Sequence, residues 1–180
     1  VVQETKKRLE KSEKSGQTLE NIIDDAHVAA HLMKDFLRKS EQPLFPIELN
    51  KSFIDAVKIA DFNEKIAKYR QCLAALPPTH YRTLIIIAYV ARLVVDHTNE
   101  NKMSFQALGV VFGPCFMRLS SLEMIEMWDS RVAEEILGNF GAIDSHNSAE
   151  HRAVLSAVMR DNQFTFTVGP PLTAKVSFIG

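Results

Sequence analysis

His27 and His31 stand four residues apart, the spacing at which two imidazoles share a helix face and chelate zinc. The residues between them are Val28, Ala29 and Ala30, so the glutamate base of an H-E-x-x-H site is missing, and no third ligand is indicated. Histidines turned toward the core with hydrogen-bonded rings are the better reading. Lys34 and Arg38 repeat the four-residue spacing and put two cations on one helical face beside a turn. Asp24-Asp25 has the form of an acid pair, but directly before an apolar helix it reads as a cap with favourable charge. His146 and His151 carry no motif, and His80, after Pro-Pro-Thr at a helix start, reads as a capping or surface residue. Cys72 and Cys115 sit singly in apolar surroundings with no C-x-x-C. They read as buried free thiols of a reducing cytoplasm, which also disfavours a Cys–His nucleophile pair. There is no G-x-S-x-G elbow, no G-x-G-x-x-G and no G-x-x-x-x-G-K. Nothing assembles a self-contained active site.

The elements that must carry these residues are helical. Val2, Thr5 and Leu9 mark a first amphipathic helix that ends near Ser15-Gly16, and Lys6-Lys7-Arg8 with Glu4, Glu10 and Glu13 form its solvated face. Val28, Ala29, Leu32, Met33, Phe36 and Leu37 make the apolar stripe of a second, which stops in Ser40-Glu41-Gln42-Pro43-Leu44-Phe45-Pro46. A third spans 47–60. A fourth, capped by Asn63, runs to Leu76 and is broken by Pro77-Pro78. Thr79 caps a fifth of roughly 20 residues, apolar nearly all round from Leu84 to Val95 and therefore expected at the centre of the core. Ser104 caps a short helix through Val111 that Gly113-Pro114 ends. Ser120-Ser121-Leu122-Glu123 is a capping box opening a helix to Phe140, with a break near Asp129-Ser130 and Gly141 as its C-terminal stop. Ser148 caps a last helix to about Arg160. In the tail, 164–168 and 174–178 alternate strictly and form either a short β-hairpin or an extended segment.

The 180 residues suit one domain of ordinary size. Lys+Arg 21 against Asp+Glu 22 leaves a formal charge of -1, which excludes a globally basic nucleic-acid binder but not a local basic patch. The longest apolar run, Leu84 to Val90, is far short of the roughly 18 residues of a membrane span. Val1-Val2-Gln3-Glu4 is neither a signal peptide nor a natural start, so the chain is expected to be part of a longer product. Residue types and periodicity alone lead to a helical binding module.

Three segments, in order, resemble RhoGAP domains. The run from Asp25-Ala26-His27 through Leu32-Met33-Lys34-Asp35-Phe36-Leu37-Arg38 to Pro43-Leu44 is similar to that family's D-x-H-x-V/A helix joined to L-K-x-F-L-R and a Pro-Leu turn. Leu76-Pro77-Pro78-Thr79-His80-Tyr81-Arg82-Thr83-Leu84 resembles its L-P-x-x-N/H-x-x-T-L. Asn101-Lys102-Met103-Ser104 through Leu108, then Val110-Val111-Phe112-Gly113-Pro114, resembles N-K-M-[TS]…L-A-x-x-F-G-P. The likeness covers about residues 20–140.

The resemblance implies an all-α bundle that binds the GTP-bound form of a Rho- or Rac-type small GTPase and, in a complete chain, speeds its GTP hydrolysis. GTP and Mg²⁺ belong to the partner; no cofactor or metal of its own is implied, and the location implied is cytoplasmic. Carried over residue by residue, Lys34 and Arg38 line the GTPase-facing surface and hold the arginine-bearing loop. Asn101 and Lys102 fix the loop before the short helix, and Pro114 turns the chain at the same surface. Two departures stand out. No G-x-[FY]-R-x-S-G loop occurs, so the arginine finger is expected just upstream of Val1 and Arg8 is a poor substitute. Ala107 occupies the family's asparagine position and lacks the amide's hydrogen bonds. Residues 1–143 are therefore expected to form a RhoGAP-like domain without its finger segment, weak or inactive in catalysis, and 144–180 a helix with an extended tail. The alternatives are a non-catalytic interaction module of the same fold and a helical metal enzyme built on His27 and His31.

Overall fold

The computed structural model describes residues 26–144, together with residues 4, 5, 7, 152–154, 156 and 157. Among these there is no strand, and the architecture is an all-α bundle. Helix α1 spans Ala26–Lys39, and a 3-10 turn at Ile47–Leu49 leads into α2, Asn50–Val57. Next come α3, Phe62–Ala74, α4, Pro78–Asp96, and the single turn α5, Thr98–Asn101. The described fold closes with α6, Phe105–Phe116, α7, Ser121–Ile125, and α8, Trp128–Ile143. Glu4, Thr5 and Lys7 are helical, Thr5 being buried, as are 152–154, 156 and 157. The Asp24-Asp25 and Ser148 caps and the β-hairpin lie outside the described residues.

Local chemistry sets most boundaries, though not always at the expected residue. Asp61, not Asn63, caps α3: its extended backbone lets its carboxylate accept from Glu64 N at 2.8 Å. Thr79 does not cap α4. Pro78 occupies the first turn, where a missing N–H costs nothing. Ser104 does cap α6, accepting from Ala107 N at 3.1 Å, and Ser120 with Glu123 closes the capping box of α7. Pro114 does not end α6. It forfeits one backbone bond in the last turn, while the burial of Gly113, Cys115 and Phe116 keeps the turn helical. The break before α8 falls at Met127, held at φ 55°, rather than at Asp129-Ser130, which are buried inside the helix. Gly141 is likewise interior to α8.

One core cluster joins every helix from α1 to α8 except the short α5 and α7. Its aromatic spine is Phe45, stacked on Phe53 at 4.4 Å and tilted against Phe116 at 5.3 Å, with Phe112 beside Phe116 at 5.6 Å. As expected, α4 gives the core Leu84, Ile85, Ile87, Ala88 and Ala91, with Val90 exposed, while the most extensive helix contact in the fold is the α6–α8 pair. Two glycines explain it. A Cβ on Gly109 would lie 2.6 Å from Ser130 O, and one on Gly113 2.6 Å from Ser130 N. The four-residue repeat of glycine brings the two backbones into direct contact, which no side-chain-bearing residue permits there.

Candidate functional site

Lys34 and Arg38 lie on the side of α1 that meets the C-terminal turn of α6. Arg38 and, more weakly, Lys34 lie close enough to the Cys115 thiol to act on it electrostatically. Cys115 is 2% exposed, and its S–H donates to Val111 O at 3.5 Å. Burial pushes this thiol above the ordinary range, and the two cations pull it partly back. Pro114, next in the chain, is exposed. Lys34, Arg38 and Pro114 therefore share one patch. Lys39 is ion-paired with Asp35 at 3.0 Å, whereas no carboxylate among the described residues pairs with Lys34 or Arg38.

The other predicted residues act at the opposite end of α6. Asn101 uses both ends of its amide: Nδ2 donates to Val94 O at 2.7 Å, and Oδ1 accepts from Met103 N at 2.8 Å. Between these bonds Lys102 takes the left-handed backbone, φ 60°, and its Nζ donates to Asn99 O at 2.7 Å. The loop entering α6 is thus closed by its own side chains. Ala107 is half-buried in the first turn of α6. It lies seven residues before Pro114, two helical turns away, and so on the same face. The 12 residues of α6 span about 18 Å, so Asn101 and Lys102 are not in direct contact with the basic pair. Beside this face, Val110 (50% exposed) and Ile125 (78%) border a groove of about 570 Å³ that Gln106, Met127, Trp128 and Arg131 also line.

His27 and His31 are both exposed, not turned to the core. On α1 Val28 and Leu37 are buried, while residues 27 and 31 stay exposed. Among the described residues no cluster of His, Cys, Asp and Glu can hold a metal ion. No described helix is long and apolar enough to cross a membrane. His80 neither caps nor faces water freely. Its Nδ1 lies 2.9 Å from Leu44 O, bracing the turn after α1.

Sequence reasoning passed over Arg118. Its Nη1 donates to Glu41 O at 2.7 Å and its Nη2 to Ser40 O, so one guanidinium holds two successive carbonyls just past α1. No local signal marks it, because the two carbonyls lie beyond the last turn of α1, 77 and 78 residues from Arg118.

With this geometry in place, the similarities to known proteins are informative. Residues 1–121 match the RhoGAP domain family. Rho GTPase-activating protein 15 of Mus musculus is 32% identical over 126 residues, covering 68% of this chain and 26% of that protein. Rho GTPase-activating protein gacN of Dictyostelium discoideum is 34% identical over 138 residues, covering 76% of this chain and 22% of that protein. The chain thus spans about a quarter of the length of these relatives. Among solved structures, human Rho GTPase activating protein 15 superposes with a TM-score of 0.67 at 26% identity, over 77% of this chain and 69% of that one. The BH domain from GRAF, the GTPase regulator associated with focal adhesion kinase, gives 0.61 at 25% identity over 66% of each. Motif order, helical architecture and family match agree, and the chain belongs to the RhoGAP domain family.

Proposed function

We propose that this domain binds a Rho- or Rac-type small GTPase in its GTP-bound form, and that a chain also carrying the arginine finger stimulates the partner's GTP hydrolysis. The observation that carries this reading is the Lys34–Arg38 pair, two cations with no carboxylate partner among the described residues, on a helix that packs against α6, which contains Pro114. Hydrolysis spreads negative charge over the transferring phosphoryl group, and a finger arginine that meets it is worth about 10³–10⁵ in rate. Lys34 and Arg38 supply the supporting positive charge and the hydrogen bonds that hold the finger loop against the GTPase. Asn101 and Lys102 fix the entry to α6, and the exposed stripe from Ala107 to Pro114 contacts the partner. The groove beside Val110 and Ile125 adds apolar surface.

The test is a binding titration of the 180-residue chain against GTPases loaded with a non-hydrolysable GTP analogue or with GDP. Preference for the GTP form is expected, and Arg38→Ala weakens it about tenfold or more, as truncating a charge at a desolvated interface does. Equal affinity for both nucleotide states, or no binding to any Rho-family member, sinks the proposal. Single-turnover hydrolysis at saturating domain is expected to rise little, because no finger motif occurs in the sequence. A hundredfold rise would show that another arginine serves. Ala107 favours a second reading, a non-catalytic module that holds the GTP form without hydrolysing it. The same hydrolysis assay on a chain that also carries an arginine-finger segment separates the two.

A further inference from the structure

Arg38 can serve a partner only if its guanidinium is held in one place, and it stands in the last turn of α1, where helices fray most readily. Four carbonyls at a helix end lack partners within the helix. Here Ser40 N and Ser40 Oγ both return to Phe36 O, at 3.0 and 3.1 Å, and no glycine follows to close the helix in the left-handed manner. The chain runs instead into Pro43, which has no N–H to offer. The chain just beyond this end is held from 78 residues further along. The fork of Arg118 donates to Ser40 O and Glu41 O.

Arg118 is anchored in turn. Its own carbonyl accepts from Asn50 Nδ2 at 2.9 Å, at the first residue of α2. Two residues back, Phe116 O accepts from Phe45 N at 2.8 Å. One residue further back, Cys115 lies near enough for Arg38 to act on its thiol electrostatically. The chain at and after the end of α6 thus holds the segment that follows α1 at two places, through Arg118 and through Phe116.

We propose that Arg118 is a positioning residue for the basic pair: by fastening the two carbonyls after α1 it fixes the last turn of that helix and so the direction of Arg38. The inference rests on the reading that Arg38 touches the GTPase. Two parallel N–H donors in a planar fork are needed to hold two successive carbonyls, and lysine, with its single ammonium, does not reproduce this. An Arg118 that acted on the partner through its own charge would tolerate lysine.

The experiment is a double-mutant cycle on binding to a Rho-type GTPase loaded with a non-hydrolysable GTP analogue. Arg118→Ala and Arg118→Lys each weaken binding about tenfold when Arg38 is present and less than twofold in an Arg38→Ala background, the non-additivity expected of residues that act as a unit. In parallel, the Arg38 side-chain N–H resonance in ¹⁵N NMR, assigned by its loss in Arg38→Ala, shifts in free Arg118→Lys. Arg118→Lys keeps the charge and is exposed, so it remains testable if Arg118→Ala does not fold. Equal losses in both backgrounds, wild-type binding by Arg118→Lys, or an unmoved resonance overturns the inference and leaves the GTPase-binding reading standing. Wild-type binding by Arg38→Ala overturns both.

Discussion

At the scale of the residue, the site is a set of side chains whose value depends on what they are spared from doing. Lys39 is occupied by Asp35, while Lys34 and Arg38 face a thiol, which does not neutralise them. Ala107 is the weak member. It is half-buried on the stripe that we propose contacts the partner, and it offers no polar atom beyond the backbone. Ala107→Asn is expected to tighten GTPase binding about tenfold, the worth of one well-made hydrogen bond at a desolvated contact. A titration of the variant beside the parent checks it, and stability should not change by more than about 0.5 kcal/mol at such a position. The basic pair was legible in the sequence because its spacing and motif are local. Arg118 was not, because its partners lie 78 residues away and nothing in Met117-Arg118-Leu119 marks it. The histidines were misplaced for a related reason. An apolar run suggests that a ring within it goes inward, but residues 27 and 31 are exposed although Val28 between them is buried.

At the scale of the element, helices were read from periodicity and their ends from caps, and the two signals differed in value. Side-chain caps at Ser104 and Ser120 fell where their spacing placed them, since each bond is made within three residues. Glycine and proline misled. Pro114 and Gly141 look like stops but sit inside α6 and α8, where tertiary packing outweighs local preference. Gly109 and Gly113 looked unremarkable, yet they let α6 and α8 touch backbone to backbone. Gly109→Ala and Gly113→Ala are therefore expected to cost about 2–3 kcal/mol each or more, because the added methyl meets backbone that no rotamer change can move. Gly138→Ala is the contrast. Its Cβ would rest 3.6 Å from the Phe105 ring, an ordinary contact, and helix propensity should make it more stable by about 0.5–1 kcal/mol. Denaturant melts of the three variants check the order.

At the scale of the whole molecule, a single core unites segments that are distant in sequence, so its parts should be lost together. Cys72 and Cys115, the two cysteines of the chain, belong to that core on different helices and are 3% and 2% exposed. Burial raises both thiols from an ordinary value of 9.0, which lowers their thiolate fraction at neutral pH. Neither is expected to react with a thiol-specific reagent in the native state, and both become reactive in the same guanidinium transition; stepwise exposure would reveal separate units. The pH dependence has a defined sign. A raised folded pKa means that the unfolded chain ionises first, so stability is full below about pH 9 and falls as pH rises past the folded values. Tyr69, buried beside Glu135 and raised further, extends the loss to higher pH. Melting midpoints measured across that alkaline range check the sign. The long reach of the Arg118 clamp also has a consequence during synthesis. When Ser40 leaves the ribosome, its clamp has yet to be made. Translation at roughly 5–20 residues per second puts the 78 residues between Ser40 and Arg118 on the order of 4–16 s apart. For that interval Phe45, wholly buried in the finished fold, has no Phe116 to rest on, and the nascent chain must be kept from its neighbours by other means.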